Sequence, residues 1–168
     1  MAAAEMPGHD LYESIVELDL IARELLGGFY LWLQAPGGGS LDPFEASPLA
    51  LEADRYARDF LIEILEYPAV SSTRRTVLAY LSNWYIINTL EPSRGEMEKI
   101  ARALSLFHTF LRSLSLAPGE ECLAVERLLA EPERFHKRLD DFWELTAEQV
   151  ADWRGEDDYR RLTDPKGD

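Results

Sequence analysis

Hydrophobic positions recur along this chain at helical spacings, and no stretch alternates in the manner of a strand. Leu11, Ile15, Leu18, Ala22, Leu25, Phe29 and Trp32 follow one another at intervals of 4, 3, 4, 3, 4 and 3. That rhythm places them on one face of a long amphipathic helix, entered near Asp10, a residue suited to capping a helix start. Met97, Ile100, Leu104, Phe107, Leu111 and Leu114 repeat the pattern over nearly five turns. Between these two lies a segment of another kind. Val77, Leu78, Tyr80, Leu81, Trp84, Tyr85, Ile86, Ile87 and Leu90 leave little of the circumference polar, which predicts a central helix buried on several sides. It is expected to begin near Ser71 or Ser72 and to stop by Glu91, because Pro92 disfavours helical geometry in the residue before it. Residues 76–116 therefore read as a helical hairpin.

The punctuation supports the same division. Ser93 and Glu96 form a capping box ahead of the second long seam. Gly27-Gly28 interrupts the first one at a cost of about 1 kcal/mol per glycine, so a close crossing or a kink is expected there. Ala35-Pro36-Gly37-Gly38-Gly39-Ser40 is a loop. It lacks the GxxxxGK[ST] phosphate pattern, no Lys or Arg occurs between Arg23 and Arg55, and Gly37–Gly39 reads as a flexible connector. Asp42-Pro43 and Ser47-Pro48 offer two helix starts, expected as a short turn and then a main helix. That helix carries Leu49, Ala53, Ala57, Phe60, Leu61 and Ile64 inward and ends before Pro68. Ala117-Pro118-Gly119 breaks the chain, Glu120 to Glu131 is expected as a short helix burying Leu123, Leu128 and Leu129, Pro132 opens one with Phe135, Leu139 and Phe142 inward, and Thr146 to Gln149 caps a last one running through Val150 and Trp153 to Gly155. The expected fold is all-α: a single-domain bundle of about six or seven helices over residues 1–155, with a charged, loose tail at 156–168.

Composition narrows the setting. At 168 residues the chain is of ordinary one-domain size. Its single Cys122 excludes an intramolecular disulfide framework and a multi-cysteine zinc site, which fits a reducing cytoplasm. No apolar run approaches the length of a membrane span, and the start MAAAEMPGHD lacks the basic residues of a secretory signal. The net charge of -14 opposes nucleic acid and anionic membranes. Charge is unevenly spread, however: residues 71–116 hold six basic and three acidic side chains, so this segment is +3 and the remainder -17.

Candidate chemistry is sparse. Glu133 and His136 make an E-x-x-H of the kind that supplies di-iron bundles, but no second E-x-x-H exists, Ser105 standing three before His108. No metal or cofactor is expected, and His108 reads as a boundary histidine with a backbone or water partner. Glu120-Glu121 and Asp140-Asp141 point around their helices rather than at one another. With histidines only at 9, 108 and 136, and no nucleophile motif, no catalytic residue is nominated. Trp32, Trp84, Trp143, Phe107, Phe110 and Phe142 are expected in the core.

Leu81-x-x-Trp84-x-Ile86, the capped turn, and Ile100-x-x-x-Leu104-x-x-Phe107-x-x-Phe110-Leu111 together resemble the core-binding, SAM-like helical domain of tyrosine recombinases. Residues 49–116 are also similar to the helical region of uncharacterised bacterial proteins that carry a SEC-C segment. The recombinase resemblance implies DNA contact through basic helix faces, with Arg74, Arg75, Lys99 and Arg102 on phosphates. This chain has no catalytic domain with a tyrosine nucleophile and no cysteine-rich zinc segment. The functional expectation is a non-enzymatic protein-interaction or scaffold module whose partner is another protein or a second copy. A nucleic-acid-associated module on the basic 71–116 face is the alternative, opposed by the net charge.

Overall fold

The computed structural model describes the backbone of residues 7–155 and the side chains of 14–153. The chain is all-α. Helices α1 (Pro7–Gln34), α2 (Pro43–Asp54), α3 (Arg74–Ala79), α4 (Tyr85–Ile87), α5 (Arg94–Ser113), α6 (Gly119–Leu129), α7 (Pro132–Trp143) and α8 (Ala147–Gly155) follow in order. Helix α2 runs on into a π-helical segment, Arg55–Ile62, and a second one, Tyr80–Trp84, joins α3 to α4 in one rod. The expected tail at 156–168 lies outside the described residues.

The core has two lobes, and α5 belongs to both. Its Met97, Ile100 and Leu104 pack with Tyr56, Phe60, the rod, and Val125, Leu128, Phe135 and Leu139. Its Ala103, Phe107, Phe110 and Leu111 pack with Ala22, Leu26, Phe29 and Leu33 of α1 and with Ala46, Leu49 and Ala53 of α2. The central element is therefore α5. The 74–87 rod packs on α5 as the hairpin expectation requires, and it also lies against α6, α7 and the Arg55–Ile62 segment.

Most of the α5 seam is buried as its spacing requires, but Leu114 lies past the helix end and is exposed. Helix α1 is one continuous element that starts at Pro7, so Asp10 is inside it rather than at its cap. Its glycine pair marks a crossing: a Cβ on Gly28 would stand 3.5 Å from Phe110 Cζ. The 35–40 loop is a hydrogen-bonded turn rather than a flexible connector. Gly38 and Gly39 donate to Ala35 and Trp32 carbonyls, and Leu41 N donates to Leu33 O at 2.9 Å. Glycine is required twice here, since Cβ atoms at 38 and 39 would meet Trp32 O at 2.1 Å and Leu33 O at 2.6 Å.

Two expected helix starts resolve differently. Asp42 caps α2, accepting from Phe44 N and Glu45 N, and the helix continues through Pro48 without a break. Thr73, not Ser71 or Ser72, caps α3, in a reciprocal box with Thr76. Ser93 accepts from Glu96 N as expected, but Glu96 does not reach back to Ser93. Tyr85 stands between them, its hydroxyl donating to Glu96 Oε2 at 2.7 Å and accepting from Ser93 N at 3.1 Å. Inward positions also shift. Leu123 is exposed while Cys122 and Val125 are buried, and Trp143 faces solvent while Trp153 is buried, donating to Asn83 Oδ1 at 3.0 Å beneath the Arg138 guanidinium.

A connected set of polar groups crosses the core. His108 Nδ1 lies 2.8 Å from Leu104 O and its Nε2 lies 3.0 Å from Ser72 Oγ; Tyr56 Oη in turn meets Ser72 Oγ at 2.6 Å and Thr76 Oγ1 at 2.7 Å. All four residues are buried. Tyr80, also fully buried, has an Oη without a hydrogen bond, so the two tyrosines carry opposite consequences. Tyr56→Phe strips a partner from two buried hydroxyls and is expected to cost about 1–3 kcal/mol, whereas Tyr80→Phe removes an unsatisfied group and should be neutral or stabilising. Urea unfolding of both variants checks the contrast.

Candidate functional site

The Ser72–His108 pair has the spacing of a nucleophile and its base. Its surroundings exclude that use. Ser72 is 3% and His108 0% exposed, and Nδ1–H is committed to the Leu104 carbonyl rather than to an orienting carboxylate. That bond assigns the tautomer in which Nε2 accepts from Ser72, whose hydroxyl accepts from Tyr56 in turn. Burial holds His108 below the ordinary histidine range, while the bonds to Leu104 and Ser72 oppose the shift. His108 thus has the expected backbone partner but lies in the core rather than at its boundary. Cys122 donates to His108 O at 3.5 Å, and burial pushes its thiol up, the reverse of an activated thiolate.

The four nominated cations fall on two elements. Arg74 and Arg75 open α3, where the Arg74 amide donates to Glu121 Oε1. On α5, Lys99 pairs with the buried Glu52 of α2 at 2.8 Å. Arg102 lines a groove between α5, α6 and α7.

That groove has a volume of about 410 Å³. Its apolar walls come from Met97, Leu129 and Phe135, and the space exists because Ala101, Ser105 and Ala130 are small. Glu98, Glu126 and His136 line it with Arg102. His136 is 6% exposed, and its Nε2 makes no hydrogen bond, although Glu98 Oε1 stands 3.4 Å away. Glu133, its E-x-x-H partner, has Oε1 4.0 Å from Nδ1. Among the described residues no group of three or more His, Cys, Asp or Glu side chains is placed to hold a metal ion. The groove was not legible in the sequence, because what makes it is an absence of bulk at 101, 105 and 130.

An exposed apolar stripe among the described residues lies on α1. Its inner face, Ala22, Leu26, Phe29 and Leu33, is in the core. On the opposite side Val16, Leu20 and Leu31 are 41%, 58% and 68% exposed, with Gly27 open on the same stripe. The intervals of 4, 7 and 4 through Gly27 keep all four in line. Among the described residues no helix is long and apolar enough to cross a membrane.

No family model, no curated protein and no solved structure matches this chain.

Burial of neutral His108 has a measurable signature. The unfolded chain binds a proton at this residue near pH 6.5 while the folded chain resists it, so stability falls as pH drops below that value. The expected slope between pH 7 and 5.5 is up to about 1.4 kcal/mol per pH unit from this group. His108→Gln should be less stable at pH 7 and show a shallower slope, read by urea unfolding across that range.

Proposed function

We propose that the chain is a non-enzymatic interaction module that docks an amphipathic helix of another protein along the outward face of α1. The observation that carries this is the second apolar stripe. A helix with one face in the core ordinarily turns polar residues to solvent, and a run of exposed apolar side chains on a folded surface marks an interaction site. The stripe is narrow and straight, which suits a helix, and Gly27 in its middle permits close approach. Glu17 and Glu24 border it, so basic flanks on the partner complement it. A second copy would bring one chain of charge -14 against another, which favours a different protein.

The sealed Ser72–His108 pair and the buried thiol of Cys122 support a non-enzymatic role. The resemblance to recombinase core-binding domains would place phosphates on Arg74, Arg75, Lys99 and Arg102. That reading has less support, since Lys99 is held by Glu52 and Arg102 shares its groove with two glutamates.

The test compares the wild type with Leu20→Asp/Leu31→Asp for retention of a protein partner from host lysate, with nuclease and a salt wash. Both substitutions are at exposed positions, so folding stability is expected to change by less than about 0.5 kcal/mol per site. Binding should weaken by about 2 kcal/mol or more, roughly thirtyfold. Equal retention by both proteins, or release of the bound material by nuclease, would sink the proposal.

A further inference from the structure

In the groove between α5, α6 and α7, one guanidinium makes no ion pair with a described residue and one buried imidazole nitrogen makes no hydrogen bond. Glu98 precedes Arg102 by four residues, the order that favours an ion pair on a helix surface, and the pair is not made. Glu98 stands beside His136 instead, and Arg102 forms no ion pair with any described residue. His136 Nε2 is buried at the groove with no hydrogen bond. Buried polar atoms in folded proteins are ordinarily satisfied, and a groove of about 410 Å³ falls within the range of small-molecule sites, roughly 300–1,000 Å³.

We propose that this groove binds a small monocarboxylate with an apolar body. The carboxylate lies bidentate on the Arg102 guanidinium, a pairing that its planar fork favours. It also accepts from His136 Nε2, the exposed Glu98 side chain turning aside. The apolar body rests on Met97, Leu129 and Phe135. Charge in the groove limits the class of anion: Glu98 and Glu126 oppose every negative charge that enters, so the single bidentate contact of Arg102 offsets one carboxylate charge, while a dianion such as a phosphate monoester is rejected. A neutral amide of the same shape leaves the guanidinium without its counter-ion.

The experiment titrates the full chain with 4-phenylbutyrate, 4-phenylbutanamide and phenyl phosphate, by calorimetry and by following the His136 ring resonances. Saturable binding of the carboxylate with a shift of those resonances is expected, and the amide and the phosphate should bind at least about tenfold more weakly. Arg102→Gln, at an exposed position, should weaken the carboxylate by about tenfold or more. Ala101→Leu should abolish binding by filling the groove, while Leu20→Asp/Leu31→Asp on α1 should leave it unchanged. The proposal is overturned if millimolar 4-phenylbutyrate does not saturate, if acid and amide bind alike, or if Arg102→Gln binds like the wild type. Should Ala101→Leu fail to fold, the Arg102→Gln and amide comparisons decide the matter alone.

Discussion

Four buried polar side chains, Tyr56, Ser72, Thr76 and His108, must find one another for the two lobes of this bundle to close. They come from the π-helical continuation of α2, the turn before α3, α3 itself, and α5. Each would cost the protein dearly if buried alone, because an unmade hydrogen bond in the core carries its full desolvation penalty. Satisfied together, they fix how far along one another α2, α3 and α5 can slide. Apolar packing alone sets such registers loosely, since neighbouring turns of an aliphatic seam are nearly interchangeable. The network thus does for α5 what Lys99 and Glu52 do a few turns away, where a buried carboxylate of α2 has its charge partner on the same helix.

The π-helical segments belong to this arrangement. Through 55–62 the bonds step from i to i+5, as in Leu65 N to Phe60 O, and the last turn closes with Tyr67 N on Leu61 O. A wider turn delays the inward face by about one residue. Leu65 is therefore buried where a regular helix would have buried Ile64, and Tyr56 enters the core beside Phe60. The second π segment, Tyr80–Trp84, lies against the first and stacks Tyr80 on Trp84 and edge-on to Tyr56.

These features explain what could be read from residues alone. The all-α class and the α5 seam from Met97 to Leu111 were legible because a 3.6-residue period is strong over five turns. Ile64 was misplaced because a π turn breaks that period without any proline or glycine to announce it. The Ser72 hydroxyl suits a cap, yet Thr73 forms the box with Thr76 and leaves Ser72 for His108. The Glu96 reach-back failed for a tertiary reason, the arrival of the Tyr85 hydroxyl between carboxylate and amide. The hairpin expectation holds only in part, because the 74–87 rod meets Met97, Ile100 and Leu104 of α5 but also takes α6 and α7 as neighbours, while α5 reaches on to α2 and α1.

The distribution of charge separates the two candidate surfaces more firmly than their shapes do. Near the inner edge of α1, Arg58 donates to Asp19 at 2.6 Å, and Arg23 reaches the same carboxylate at 2.9 Å. The Arg58 hydrogen bond holds the Asp19 carboxyl below its usual range. Two of the chain's 17 basic side chains are thereby committed to one acid, and the border of the α1 stripe remains acidic. In the groove Glu98 stands beside His136 and leaves Arg102 lining the space, although Glu126 lines it too. In a chain with 31 acids, an arginine beside an apolar hollow that makes no ion pair with a described residue is a feature that the overall charge does not predict. The two proposed surfaces thus differ in sign where a ligand would meet them, the α1 stripe being bordered by Glu17 and Glu24 and the groove presenting the Arg102 guanidinium.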